Sequence, residues 1–296
     1  MRINFGTTNF DGSGSSANLN DDNSFSIDPN IPVYQGHGVV SQNSGATFSI
    51  HSNEWNGAYS KEVSVETDAT VVHVSNFVDV DLTVNNDVAT VINISDAKRG
   101  QIDTSEGDSV DVVNVFVEAG TSTNPAWSHL FQIDTGNGDD IITMQSSGPG
   151  SYDRLTEYTI DAGAGRDQIH VDGLTAPTTD VTRHVDGNEG FDTLTTNGDS
   201  DQVTFEGIEA VIGTDGATLT VDSTVLENNG EDAGLILSNI DVTIDDDVFV
   251  EQTTMTQEQS DYLTQNGFNA SEFAVYSYED ADNNSGVLFV DQGHLI

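Results

Sequence analysis

The sequence predicts an all-β chain wound into a right-handed parallel β-solenoid, and three observations carry that prediction. Short runs of β-branched and aromatic residues alternate with polar ones at a period of two. A glycine–aspartate turn recurs at a nearly fixed interval through the middle of the chain. A helical period is almost absent.

Taken in order, residues 1–61 are rich in Gly, Ser, Asn and Asp, with brief apolar stretches at 31–34 and 39–40, and read as an N-terminal arm with short strands. From residue 62 the texture changes. VSVET (63–67), TVVHV (70–74), VDVDLTV (78–84), ATVINI (89–94) and VDVVNVFV (110–117) are each short, strand-favouring and bounded by Asn, Asp or Gly. The pattern continues at 141–143, 169–171, 203–205, 219–221, 242–244 and 248–250, so the solenoid is expected over 62–250. Residues 251–296 are expected to form a C-terminal cap. It holds the one helical candidate, 256–266, with acidic residues near its start and Gly267 beyond its end. Strands EFAVYSY (272–278) and GVLFV (286–290) follow.

Five segments share an apolar residue, usually an Asp, a small-residue turn and a second apolar residue: IDTSEGDSV from Ile102, IDTGNGDDII from Ile133, IDAGAGRDQI from Ile160, VDGNEGFDTL from Val185 and, weakest, VIGTDGATL from Val211. Their first turn residues, Thr104, Thr135, Ala162, Gly187 and Gly213, stand roughly 31, 27, 25 and 26 residues apart, one turn per solenoid coil. Coils stacked this way place like residues ~4.8 Å apart.

Fifty acidic residues face seven basic ones, Arg2, Lys61, Lys98, Arg99, Arg154, Arg166 and Arg183, for a net charge of −43. Such a chain repels itself and needs screening salt or bound cations to be compact. Nucleic acid and anionic lipid are disfavoured as partners, because both are bound by clustered Lys and Arg. The acidity also fits a high-salt habitat. With no cysteine, thiolate zinc sites and cysteine nucleophiles are excluded. The first twenty residues contain no apolar run of a cleaved leader, and no stretch approaches the ~20 apolar residues of a membrane span.

The turns carry the chemistry. Calcium takes six to eight oxygens at ~2.3–2.6 Å. Glycines let a tight turn aim backbone carbonyls inward, and an Asp adds a carboxylate. TGNGDDIIT (135–143), AGAGRDQIH (162–170) and GNEGFDTLT (187–195) resemble the nonapeptide G-G-x-G-x-D-x-U-x of RTX, or hemolysin-type, calcium-binding repeat proteins. The resemblance covers roughly 100–220 and departs from the family in two ways: the turns stand alone at about 26 residues instead of in tandem, and Thr135 and Ala162 replace the first glycine. It implies a β-roll-like fold with Ca2+ held between turns of adjacent coils. The carboxylates would be Asp140, Asp167 and Asp192, with backbone oxygens from Thr135, Asn137, Ala162, Ala164, Gly187 and Glu189. Asp134, Asp161 and Asp186, each just before a turn, would act as extra ligands or strand-end caps. In the other two segments Ser109 and Thr218 replace the Asp. Metal-free turns use the same residue types, but the Asp recurs at one offset and the charge requires counter-cations.

His37, His51, His73, His129, His170, His184 and His294 show no metal-ligand spacing. The RTX resemblance implies export by type I secretion, with an uncleaved C-terminal signal, to the extracellular space or cell surface. Taken together, these readings favour a non-enzymatic, calcium-dependent structural protein that self-assembles into a surface layer, filament or matrix as a homo-oligomer or polymer. One alternative is an adhesin or carbohydrate-binding module for cell-surface polysaccharide, using Trp55, Trp127 and Tyr152. Another is a polysaccharide lyase or epimerase using Arg154, Arg166 and Arg183 to neutralise a substrate carboxylate.

Overall fold

The structure, a computed structural model, describes residues 2–7, 24–27, 33–36, 39–43, 46–52, 61–105, 107–117, 129–146, 156–172, 182–200, 203–230, 233–244, 249–252, 254–279 and 285–296. β-branched residues at period two favour pleated, half-buried strands, and the chain builds two long sheets from them, of nine and fifteen strands. Successive coils each contribute one strand to either sheet. Lys61–Thr67, Asp79–Val84, Arg99–Asp103, His129–Asp134, Thr156–Asp161, Arg183–Asp186 and Thr204–Glu206 stack in parallel on the first face. Val71–Ser75, Val91–Ala97, Val112–Val117, Ile141–Ser146, Gln168–Asp172, Thr193–Asp199 and Ala210–Val221 stack in parallel on the second.

Register is fixed by columns of buried side chains that repeat coil by coil. Val65, Leu82, Ile102, Ile133, Ile160, Val185 and Phe205 form one column on the first face. Phe48, Val72, Ile92, Val113, Ile142, Ile169, Leu194, Val211 and Leu237 form one on the second. All belong to one continuous core. A slip of one residue would turn a whole column to solvent, at roughly 1.5–3 kcal/mol per aliphatic side chain. Coil length is unequal: Ile102, Ile133, Ile160 and Val185 keep the 31, 27 and 25 residues of the repeat, whereas Val65, Leu82 and Ile102 stand only 17 and 20 apart. The return from second face to first takes residues 76–78 in one coil and Lys98 alone in the next. After Val117, Ser146 and Asp172 it passes through stretches outside the described residues.

The parallel stack reaches back into the stretch expected as an arm. Thr47–Ser52 pairs in parallel with Val71–Ser75, and its Phe48 and Ile50 are buried. Ahead of it, Val33–Gly36 and Val39–Asn43 add to the second face and Arg2–Thr7 and Ser24–Ile27 to the first, all antiparallel. The fifth repeat segment is corrected: residues 211–219 form no turn but lie inside the twelve-residue strand Ala210–Val221. Gly213 there serves close backbone approach, since a Cβ would collide with the carbonyl of Asn239. A short helix, Ser223–Glu227, capped by Asp222, follows without a counterpart in the sequence reading.

Beyond the last strand of the first face, the second face continues through Leu235–Ser238, Ser285–Asp291, Phe273–Glu279 and Phe249–Glu251. The expected helix spans Gln257–Gln265. Thr256 and Gln259 form a reciprocal capping box at its start, and Gly267 takes a φ of +90° just beyond its end. Its buried Leu263 joins Ala210, Ile236, Phe273, Val275 and Phe289 in a second cluster. No helix among the described residues is long and apolar enough to cross a membrane.

Candidate metal centre along the stacked turns

The turns between first- and second-face strands stack directly on one another. Ala164 N–H donates to the Gly136 carbonyl at 3.0 Å, and Gly138 N–H donates to the Ala164 carbonyl at 2.8 Å. Ala164–Gly165 pairs in parallel with Glu189–Gly190, so the turn tips form a narrow third ladder through Asn137, Ala164 and Glu189. The approach is so close that a Cβ on Gly163 would collide with the Gly136 carbonyl oxygen. One on Gly165 would meet that of Gly138, and one on Gly190 that of Gly165. At the first turn position the side chains of Thr135 and Ala162 are buried, so a Cβ is accommodated where the family motif has glycine.

Inside the turns runs a ladder of carboxylates. Asp140, Asp167 and Asp192 are all fully buried. Asp140 Oδ1 accepts from Asp111 N–H at 2.6 Å, Asp167 Oδ1 from Asp140 N–H at 2.7 Å, and Asp192 Oδ1 from Asp167 N–H at 2.8 Å. The ladder continues at both ends: Asp111 Oδ1 accepts from Thr90 N–H at 2.9 Å, and Glu209 Oε2 from Asp192 N–H at 2.7 Å. Two further coils therefore contribute a carboxylate: Asp111, two residues beyond the aligned Ser109, and Glu209, which stands just before the strand that holds Thr218. The turn before Asp111 is longer, which displaced the alignment. The signal that finds all five is a carboxylate two residues before the first buried apolar residue of the second-face strand: Asp111–Val113, Asp140–Ile142, Asp167–Ile169, Asp192–Leu194 and Glu209–Val211.

Each Oδ1 takes over a backbone-like hydrogen bond, which leaves the other oxygen to be satisfied. Asp140 Oδ2 and Asp167 Oδ2 are buried with no hydrogen-bond partner. A buried carboxylate in that state is costly unless it is protonated or bound to a cation. Burial pushes Asp140 up to about 6, with neighbouring Asp111 and Asp139 adding to the rise. Burial pushes Asp167 up to about 8, with the charges of Asp192, Asp140 and Asp139 behind it. Burial also raises Asp111. These orphaned oxygens, beside a turn whose glycines leave no side chain in the way, fit a hard divalent cation, which supplies the missing positive charge. Of the backbone ligands expected, the Ala162 carbonyl accepts from Thr135 Oγ1 at 2.9 Å and the Ala164 carbonyl from Gly138 N–H. Each keeps a second lone pair for an ion.

The Asp residues just before the turns lie in a different row, on the outer surface. Asp103, Asp134, Asp161, Asp186 and Glu206 stand in register. They cap strand ends: Asp103 Oδ1 accepts from Ser105 N–H at 3.1 Å, Asp186 Oδ1 from Asn188 N–H at 3.0 Å, and Asp161 Oδ1 from Asn188 Nδ2 at 2.7 Å. Burial, then the charges of Asp161 and Asp103, raise Asp134. Among the described residues, the one set of three His, Asp or Glu ligand atoms within 4.8 Å of each other is His184, Asp186 and Glu206, at the end of this row.

Of the three arginines of the enzymatic alternative, the two among the described residues do not converge. Arg183 is buried, facing the core beside Tyr158. Arg166 is exposed on a turn, 4.3 Å over the Phe191 ring and bonded through Nη1 to Asn266 Oδ1 at 3.1 Å, which ties the turns to the C-terminal helix. Arg154, Trp55, Trp127 and Tyr152 lie outside the described residues. No protein-family model, curated protein or solved structure matches this chain.

Proposed function

We propose that this chain is a calcium-dependent extracellular structural protein, in which Ca2+ between stacked turns locks a right-handed β-roll-like solenoid that assembles with copies of itself. One observation carries the reading: a buried carboxylate in each of five successive coils, with orphaned oxygens at Asp140 and Asp167. A divalent ion between coils satisfies those oxygens and neutralises the ladder in one step, and metal binding then becomes folding free energy. Weak sites of ~10⁻⁴–10⁻³ M suffice at extracellular calcium levels.

The sheet ends support the assembly part. Among the described residues the first face ends on Thr204–Glu206, where Asn229 Nδ2 donates to the Phe205 carbonyl at 3.0 Å, and the second ends on Phe249–Glu251, whose Val250 is 62% exposed. Such edges invite pairing with another chain. The test follows far-UV circular dichroism and light scattering together while calcium is added to chelated protein, with magnesium as control. Calcium-specific gain of β signal followed by growth in scattering is expected. A β signal indifferent to calcium removes the metal reading, and a folded monomer at millimolar calcium removes the assembly reading.

A further inference from the structure

A second group of possible metal ligands stands outside the turns, at the end of the first face. His184 and Asp186 lie two apart on Arg183–Asp186 and so project from the same side of the sheet. Glu206 lies opposite Asp186 on Thr204–Glu206, the last strand of that face. One ligand atom from each of the three lies within 4.8 Å of the others.

The histidine is oriented from behind. Thr204 Oγ1 donates its proton to the Arg183 carbonyl at 3.0 Å and stands 3.1 Å from His184 Nδ1. With the hydroxyl proton committed, Nδ1–H is the donor to Oγ1, and the lone pair of the neutral ring is on Nε2. Nε2 points at Glu206 Oε1, 3.2 Å away. With a proton on Nε2 this contact is an ion pair, and with the lone pair there the nitrogen and the carboxylate oxygen face each other as two ligands that a shared ion would hold. Two ligands ~2.0–2.1 Å from a shared ion at a tetrahedral angle stand roughly 3.3 Å apart. A second hydrogen bond that fixes the tautomer of a ligating histidine is the usual support of such a site.

We propose that His184 Nε2, Glu206 and Asp186 bind a divalent first-row transition ion, with zinc as the test ion, independently of calcium in the turns. The imidazole selects against calcium and magnesium, which take oxygen ligands. Three protein ligands leave a position for water or for a donor from a neighbouring molecule.

The experiment titrates the full chain with Zn2+ by calorimetry in saturating Ca2+, near neutral pH. One saturable equivalent is expected in the wild type. His184→Gln abolishes it, Glu206→Gln weakens it at least tenfold, and Thr204→Val weakens it by about 10–100-fold through the lost support. His294→Ala, which removes an unrelated histidine paired with Asp241 at 2.8 Å, leaves it unchanged. Co2+ in place of Zn2+ gives a visible absorption band that disappears in His184→Gln, and circular dichroism of that variant shows the fold retained. Equal zinc binding by wild type and His184→Gln, or no saturable equivalent in excess calcium, overturns the proposal, whatever the calcium titration shows.

Discussion

Replacing Asp167 with Asn separates a buried charge from a buried hydrogen bond. Asp167 is fully buried, its Oδ1 accepts from Asp140 N–H at 2.7 Å, and its Oδ2 has no partner. Burial, reinforced by the charges of Asp192 and Asp140, pushes its carboxyl up to about 8. In the unfolded chain it titrates near ~3.9. The folded state therefore holds a proton that the unfolded state has lost, and this contribution is fully present below ~4 and disappears as pH rises toward 8. At ~1.4 kcal/mol per unit, keeping Asp167 buried without a cation costs on the order of 5 kcal/mol at about pH 8 and little at about pH 4. Asn keeps the acceptor, but its amide takes over the partnerless place at roughly 1–3 kcal/mol. In chelator at about pH 8, Asp167→Asn is then more stable than wild type by about 2–4 kcal/mol, and at about pH 4 less stable by about 1–3 kcal/mol. In millimolar calcium at about pH 8 the order reverses, because the wild-type carboxylate has an ion and the amide has none. Urea unfolding followed by circular dichroism, with and without calcium at both pH values, reads all four differences. The same loss of stability with and without calcium at about pH 8 would refute the reasoning, since Asp167 would then be neither a buried charge nor a ligand.

Gly163→Ala places a Cβ against the Gly136 carbonyl at a φ of +89° and is expected to cost at least ~3 kcal/mol in thermal or urea unfolding. Gly216→Ala, at a φ of +79° with nothing within 4 Å, costs only the ~1–2 kcal/mol of the left-handed backbone. Asp111→Asn and Glu209→Gln each remove one end of the carboxylate ladder and lower the number of calcium ions bound in equilibrium dialysis, whereas Ser109→Ala and Thr218→Ala leave it unchanged. Calcium binding near pH 7 releases protons, because Asp167 is pushed up to about 8 and gives up its proton to the ion; the release, read in a weakly buffered indicator solution, falls away above about pH 9 and disappears in Asp167→Asn.

Much of the fold was legible because its signals are local. Alternation such as VDVDLTV marks the strand Asp79–Val84 whatever surrounds it, and Thr256, Gln259 and Gly267 bracket the helix from both sides. What the sequence hid depends on partners distant along the chain. Thr47–Ser52 looks like part of a polar arm until Val71–Ser75 lies beside it and buries Phe48 and Ile50. The repeat alignment placed Asp140, Asp167 and Asp192 together, because their turns have equal length. It missed Asp111 because an insertion shifts it by two, and Glu209 because a glutamate on a shorter turn reaches the same place with a longer side chain. It left the Asp before each turn open between an extra ligand and a strand-end cap. Strand alternation separates it from the Asp within the turn, turning Asp134, Asp161 and Asp186 outward while the turn folds Asp140, Asp167 and Asp192 in. His184 and Glu206 lie 22 positions apart in the numbering, a spacing that matches no ligand pattern and acquires meaning only from the register that pairs their strands.

The two carboxylate rows give the net charge of −43 two separate consequences. On the outer row, Asp103, Asp134, Asp161, Asp186 and Glu206 repeat at the inter-strand spacing, so like charges oppose one another. Those groups reach solvent, and simple salt screens them over a Debye length of ~8–10 Å. The inner row is closed to solvent, so raising monovalent salt does nothing for Asp140 Oδ2 or Asp167 Oδ2. Only a proton or a coordinating ion can reach them. General acidity and specific metal dependence are therefore distinct demands: salt relieves the first along the whole surface, and a divalent ion or acid relieves the second at the stacked turns. A chain kept compact by salt alone would retain its outer faces, while Asp167, pushed up to about 8 by burial, would hold at neutral pH a proton that calcium then displaces.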